Sequence, residues 1–174
     1  PAAPGHGYRI IQDNLKNKIL VINLMGRVFM PAHLDCPFRV ADDILKKHEG
    51  IDLAAIFVDI HAEATSEKMA LGHYLDGRVS AVVGTHTHVP TFDARIFDGG
   101  TAFQSDVGFT GPADSVIGSK KELVIQHFLT QVPAKHEVAD GKTVFNALRI
   151  EIDENTRRAI AVEQIQQYID NNYE

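Results

Sequence analysis

Nine histidines are spread along the 174 residues, and three of them stand where chemistry can be done. His61 follows directly on the apolar run LAAIFVDI, and His86 and His88 sit two apart in Gly84-Thr85-His86-Thr87-His88, just past the apolar Val79 to Val83. If the two runs are neighbouring parallel strands, their C-terminal ends open on one crevice, where open α/β sheets hold ligands. Alternate residues of an extended chain point the same way, roughly 7 Å apart. Two imidazoles so separated can serve two ions about 3.5–4 Å apart, as two-metal hydrolases require. Thr85 and Thr87 are then expected to point away, and Gly84 to let the backbone turn without a Cβ clash. Imidazole donors with a single cysteine suit Mn, Fe, Zn or Ni better than Ca or Mg.

A lone histidine after a strand is usually a solvated loop residue, and His-x-His by itself is a modest signal; the combination at two strand ends carries the metal hypothesis. His6, His33, His48, His73, His127 and His136 read as surface residues, and Cys36 beside Pro37 as an inert, partly buried thiol. Two close cations also need carboxylate charge. Asp59, Glu63, Asp93 and Asp106 are the nearby candidates. Asp59 either points with His61, two residues on, or accepts loop N–H groups at the strand end. None of the four forms a strong ligand pattern.

The elements that must position these residues follow from periodicity. Lys18 to Met25 (KILVINLM) predicts a buried strand, as do Leu53 to Asp59 and Val79 to Val83. A helix is predicted through Pro37 to Lys47, with Pro37 in its first turn, Phe38, Ala41, Ile44 and Leu45 on one face and Gly50 closing it. Another opens at Thr65 and runs to about Leu75. Strand, helix, strand in that order implies a βαβ unit with parallel strands. Asp98-Gly99-Gly100 between Ala94 to Phe97 and Thr101 to Gln104 signals a hairpin. Lys120 to Leu129 reads as an amphipathic helix. Leu148, Ile150 and Ile152 alternate with polar residues and continue past Glu154-Asn155-Thr156 into Ile160 and Val162, a hairpin with one wet face. Glu163 to Glu174 reads as a polar tail. The opening PAAPGHGYRI reads as a Pro/Gly-rich connection, with residues 1–8 linker-like: either a start Met was removed or the chain begins mid-domain.

Composition sets outer limits. With 44% hydrophobic and 23% charged residues the chain reads as one globular domain over 1–174. Its 17 basic and 23 acidic residues give a net charge of −6 without a basic stripe, against a nucleic-acid-duplex binder. No apolar run approaches the roughly 20 residues of a membrane helix. No signal peptide is visible and one cysteine precludes an intrachain disulfide framework, so a cytoplasmic setting is expected.

The string VDIHAEATSEKMALGHYLDGRVSAVVGTHTHVPT (Val58 to Thr91) closely resembles the YmdB-type branch of the calcineurin-like metallophosphoesterases. The likeness continues through FRVADDILKK (Phe38 to Lys47) and SDVGFTGPADSVIG (Ser105 to Gly118), to about Asp153. The resemblance implies an α/β sandwich of two mixed sheets flanked by helices, and a dinuclear phosphodiesterase acting on small phosphodiesters, notably 2′,3′-cyclic nucleotides. It implies that His61 and His86 bind one metal and His88 the other, the ions being Fe, Mn or Zn. Its Gly-Asp, Gly-Glu-Asn and Gly-Asn-His motifs, which supply further ligands, the bridging Glu and the general-acid His, precede the part matched here and do not occur in these 174 residues. The chain is therefore expected to be the C-terminal two-thirds of such an enzyme, inactive without an N-terminal segment, with no catalytic acid of its own. Two other readings stand beside this one: a folded but catalytically incomplete binding or regulatory module, and a mononuclear hydrolase holding one Zn²⁺ on His61, His86 and His88. A homo-oligomer is compatible with all three.

Overall fold

Leu20, Ile22 and Leu24 alternate along Lys18–Met25, and their burial against helices fixes the strand around which the first half of the chain is built. The computed structural model describes residues 5–31 and 34–170. It contains β1 (Tyr8–Gln12), β2 (Lys18–Met25), α1 (Pro37–Lys47), β3 (Ala55–His61), α2 (Thr65–Leu75), β4 (Ala81–Thr85), β5 (Arg95–Ile96), β6 (Ala102–Gln104), β7 (Gly111–Pro112), α3 (Lys121–Thr130), β8 (Thr143–Ile152) and β9 (Ala159–Ile169). No helix among the described residues is long and apolar enough to cross a membrane.

Two sheets result. The larger has the order β1-β2-β3-β4-β6-β5. Its β2, β3, β4 and β6 run parallel, and β1 and β5 are antiparallel edges. The smaller, β7-β8-β9, is antiparallel throughout. This is the mixed α/β architecture implied by the resemblance, with three helices. One face of the large sheet packs Ile22, Val58 and Val82 against Ala41 and Ile44 of α1 and Leu71 and Leu75 of α2. The other face is lined by Ala81 and Ala102, whose small side chains admit Ala159 and Ile150 of the second sheet. β3 and β4, covered on both faces, read as nearly unbroken apolar runs, while β2 is buried on the Leu20, Ile22, Leu24 face and exposed at Asn23 and Met25 on the other.

Several boundaries differ from expectation. β3 and β4 each begin and end two residues later than their apolar runs, so His61 is the last residue of β3 instead of the first residue beyond it. Tyr8 to Ile10, read as part of a connection, open β1, because Tyr8 and Ile10 are half-buried over the core and pair with β2. Residues 1–4 lie outside the described part. The expected polar tail is largely strand: β9 pairs with β8 to Ile169, its polar side chains occupying the wet side of a ladder whose hydrogen bonds do not depend on side-chain type. Residues 171–174 lie outside the described part.

At Gly72, α2 lies close against Phe103 of β6 and against Phe97. A Cβ there would stand 2.6 Å from Cδ2 of Phe103 and 3.0 Å from the Phe97 ring. Phe103 is fully buried and stacks on Phe97 at 5.0 Å, so neither ring can swing away cheaply. Alanine gains about 1 kcal/mol of helix propensity over glycine, whereas overpacking a core costs about 1–3 kcal/mol. Gly72→Ala is therefore expected to destabilise the chain by about 1–2 kcal/mol in urea unfolding, the opposite sign to that of a Gly→Ala change on an open helix face.

Candidate functional site

The pleat decides which side chains meet. Val58 and Ile60 of β3 face the helices, so Asp59 and His61 face the other way. In register, Asn23 of β2 stands beside Asp59, and Thr85 of β4 beside His61. The four form a line of hydrogen bonds across the C-terminal ends of three parallel strands. Asn23 Nδ2 donates to Asp59 Oδ2 (2.7 Å), Thr85 Oγ1 donates to Asp59 Oδ1 (3.0 Å), and His61 Nδ1 lies 3.0 Å from Thr85 Oγ1. Thr85 thus points toward the site, against expectation, because it shares the register and face of His61.

The next residue leaves the sheet. His86 has φ 143° and His88 φ 64°, so the segment is bent at both histidines and not extended through them. The bend returns His86 to the His61 side: His86 Nδ1 lies 3.2 Å from His61 Nε2, with the rings edge to face at 5.0 Å. On its far side His86 Nε2 is 2.6 Å from Glu63 Oε2.

These bonds fix the protons. A carboxylate accepts only, so His86 Nε2 carries hydrogen and, in the neutral ring, Nδ1 carries a lone pair. The Thr85 hydroxyl has given its hydrogen to Asp59, so His61 Nδ1 donates to it and Nε2 carries a lone pair. Two lone pairs then face each other at 3.2 Å. Such an arrangement of two accepting nitrogens could hold a cation between them. His88 is separate: its Nδ1 faces the Ile117 carbonyl at 3.3 Å and its ring stacks on Phe109 at 5.7 Å, leaving Nε2 as its accepting nitrogen. The structure brings His61 and His86 together and places His88 on another wall. Among the described residues no three His, Cys, Asp or Glu side chains form a ready cation cage.

Beneath the loop lies a buried ion pair. Lys68 Nζ on α2 stands 3.2 Å from Asp106 Oδ2, each side chain 1% exposed. Asp106 Oδ2 also accepts the Thr87 N–H (2.9 Å) and Oδ1 the Gly108 N–H (3.0 Å). Thr87 lies between the two bent histidines, so the carboxylate pins the middle of the loop. Gly84 makes the approach of the strands here feasible. A Cβ on it would come within 1.9 Å of the Ser105 carbonyl oxygen and 2.7 Å of Lys68 Cδ, so the constraint is space and not the turn expected from sequence. One residue before Lys68, the Glu67 carboxylate accepts the N–H groups of Arg27 (3.0 Å) and Val28 (3.1 Å), anchoring the chain as it leaves β2.

The four candidate carboxylates therefore have different partners. Asp59 sits behind His61, Glu63 behind His86, and Asp106 under the loop. Asp93 accepts from the Thr91 hydroxyl (2.6 Å) and the Ser105 N–H (3.1 Å). Burial opposes its ionisation, but those hydrogen bonds together outweigh burial and hold its carboxyl below the ordinary range. His6, His73 and His136 are exposed, and His48 and His127 are half-buried against the backbone carbonyls of Ile44 and Val132. His33 lies outside the described residues. Asn23 and Thr85 were missed by sequence reasoning. Their signal was a polar residue at an outward position of an otherwise apolar run, matching Asp59 on the next strand. A buried lysine on a short helix gives no such signal.

The sequence pattern of the family described as YmdB-like protein matches residues 1–165. A 2′,3′-cyclic-nucleotide 2′-phosphodiesterase of Bacillus subtilis (strain 168) is 49% identical over 162 residues, covering 93% of this chain and 60% of the relative. A putative phosphatase/phosphodiesterase of Mycoplasma pneumoniae is 39% identical, covering 92% and 57%. Among solved structures, a hypothetical protein from Thermus thermophilus superposes with a TM-score of 0.87 at 43% identity, over 97% of this chain and 64% of its own. A novel phosphatase from Mycoplasma pneumoniae gives 0.83 at 38%, over 97% and 59%. The chain thus spans about three-fifths of the length of these relatives.

Removing one partner of a buried pair strands the other charge, at a cost of about 3–5 kcal/mol. Lys68→Met, close in volume, is expected to lower stability by that amount in urea unfolding at neutral pH. A loss below about 1 kcal/mol would show that Asp106 is held by its two N–H donors alone.

Proposed function

This chain belongs to the YmdB-like family, and on that premise we propose that it forms the histidine-bearing side of a metal-dependent phosphodiesterase that hydrolyses 2′,3′-cyclic nucleotides. The observation that carries this reading is the approach of His86 Nδ1 to His61 Nε2 at 3.2 Å. Two nitrogens bound to one ion at about 2.0–2.1 Å with tetrahedral angles stand about 3.3–3.4 Å apart, so His61 and His86 fit one metal with little movement. His88, with its Nε2 available, serves a second. Nitrogen donors select Fe, Mn or Zn over Mg or Ca. When bound, such ions lower the pKa of water and neutralise charge developing on the phosphoryl oxygens.

The residues of this chain do the orienting. Asn23, Asp59 and Thr85 hold the His61 ring with its Nε2 lone pair outward, and Glu63 does the same for His86, the carboxylate-to-imidazole support that metal ligands commonly have. The bridging carboxylate and the acid that protonates the leaving oxygen are, in this reading, supplied by the portion of the relatives' length outside these 174 residues. The substrate is a small phosphodiester in the cytoplasm.

Calorimetric titration with Mn²⁺ or Zn²⁺ tests the reading. Uptake by the unaltered chain is expected, with His61→Ala and His86→Ala each abolishing it. Thr85→Val, which removes the support of His61 without touching a ligand, is expected to weaken binding about 10- to 100-fold. The same variants should lower hydrolysis of bis-p-nitrophenyl phosphate and 2′,3′-cyclic AMP by a preparation supplied with the remaining segment. No uptake by the unaltered chain would overturn the reading.

A further inference from the structure

Of the three helices among the described residues, α3 alone has no buried residue. It has ten residues, and an isolated helix below about 12–15 residues is marginal in water, so it needs apolar packing. On one side Leu123, Val124 and His127 are half-buried. They lean on the turn at 116–119 and on the return of the chain through 133–137, and between these walls runs a largely apolar groove of about 370 Å³. The other side lies open. Ile125, Phe128 and Leu129, spaced i, i+3 and i+4, are 52%, 69% and 80% exposed, and Val132 just past the helix is 63% exposed. A helix that is apolar on both sides is ordinarily buried, and large apolar side chains left together in water mark a contact surface.

Charge narrows the partner. The segment 114–138 holds Lys120, Lys121 and Lys135 against Asp114, Glu122 and Glu137, so it is neutral on a chain whose net charge is −6. Lys120 pairs with Glu137 at 2.9 Å, and Lys121 with Asp114. A neutral patch does not attract anionic lipid or a nucleic-acid backbone. Two acidic copies of the chain, by contrast, can meet here without bringing a surplus of like charge together. The shape fits the same partner. An exposed apolar ridge and an apolar groove lie side by side on one helix, with Phe128 belonging to both. Around a two-fold axis the ridge of each copy meets the groove of the other, the self-complementarity that an isologous contact requires.

We propose that two copies of this chain associate through α3, with Phe128 and Leu129 of each as anchors in the other's groove. The contact reaches the wall of the histidine site. Ile117 lines the groove, and its carbonyl faces His88 Nδ1 at 3.3 Å. Ile117 is β-branched, has φ 46° and is 55% exposed. Such a backbone persists only where contacts hold it, and the second copy supplies one. Association needs neither metal nor substrate, so it stands apart from the phosphodiesterase reading.

Sedimentation equilibrium of the unaltered chain, from micromolar to millimolar protein, is expected to approach twice the monomer mass of 19.2 kDa. Phe128→Asp and Leu129→Asp, both at exposed positions, are each expected to raise the dissociation constant at least about 30-fold. Phe92→Asp, which removes a fully exposed ring outside this patch, is expected to leave it unchanged. In methyl NMR spectra of the unaltered chain, the signals that move on dilution are expected to be those of Ile117, Ile125 and Leu129. A monomer throughout that range, equal weakening by Phe92→Asp, a dimer insensitive to both α3 variants, or dilution shifts confined to the two sheets would each overturn the proposal.

Discussion

An ammonium and a carboxylate buried 3.2 Å apart, Lys68 and Asp106, hold together the end of the sheet on which every candidate functional group lies. Desolvating two charges costs several kcal/mol each, and their attraction offsets this only where the remaining lone pairs are also satisfied. Here they are. Asp106 accepts from Lys68 and from the N–H groups of Thr87 and Gly108, while its own N–H is taken by the Thr91 hydroxyl. The pair ties α2, the end of β6 and the histidine loop to one point. Positive φ at His86 and His88 costs on the order of 1–3 kcal/mol each and persists only where surrounding bonds determine it. The Thr87 N–H, fixed midway between them, is the bond that does so.

The two faces of β4 divide the work. On the helix face, Gly84 leaves room for Lys68 to pass to Asp106 and for the Ser105 carbonyl to approach. On the other face, Thr85 turns His61 so that its Nε2 looks outward. The bend that begins at His86 brings an imidazole from the helix-face position back to the Thr85 side, which is how adjacent residues serve one site. Carboxylates act here at one remove. Asp59 reaches His61 through a threonine and Glu63 binds the outer nitrogen of His86, so both set tautomers and leave the inner nitrogens free.

Much of this was legible in sequence, for reasons that also explain what was not. β2, β3, β4 and α1 are buried strongly enough to impose continuous or 3.6-period apolar patterns, whereas α2, whose buried face includes Glu67, Lys68 and Gly72, was marked by its Thr65-Ser66-Glu67 start. Asp98-Gly99-Gly100 marked the β5–β6 hairpin because Gly100 needs φ +90°. β1 and the far half of β9 are half-exposed edges whose side chains carry little pattern while their backbones carry the ladder. The histidine spacing pointed to the right strand ends but to the wrong local geometry. Alternation in an extended segment cannot anticipate two non-glycine residues at positive φ, because the stabilising contact comes from Asp106, 19 residues away from Thr87. Lys68 was invisible for the same reason: a lysine on an eleven-residue helix is ordinarily solvated, and only the topology shows what it reaches.

The second sheet is part of the same mechanical system. Its contact with the first centres on three alanines, Ala81, Ala102 and Ala159, with Phe57, Ile96 and Ile150 packed around them; the alanines allow close approach but have little shape to fix a register. Polar bonds at the two ends supply it. At the N-terminal end of β4, Ser80 donates to the Arg157 carbonyl at 2.9 Å, and the Ala159 N–H donates to Gly100. At the other end, Gln164 Nε2 donates to the Thr91 carbonyl, which already accepts Gln104 Nε2. Thr91 also bonds Asp93, Asp106 and Ser105 through its hydroxyl. One residue, three positions beyond His88, thus couples the docking of the second sheet to the buried ion pair and to the loop above it. A slide of β9 along the alanine seam would have to break the Gln164 bond or carry Thr91 with it. The position of the imidazoles is therefore set as much by how the two sheets seat on one another as by the strands on which those imidazoles lie.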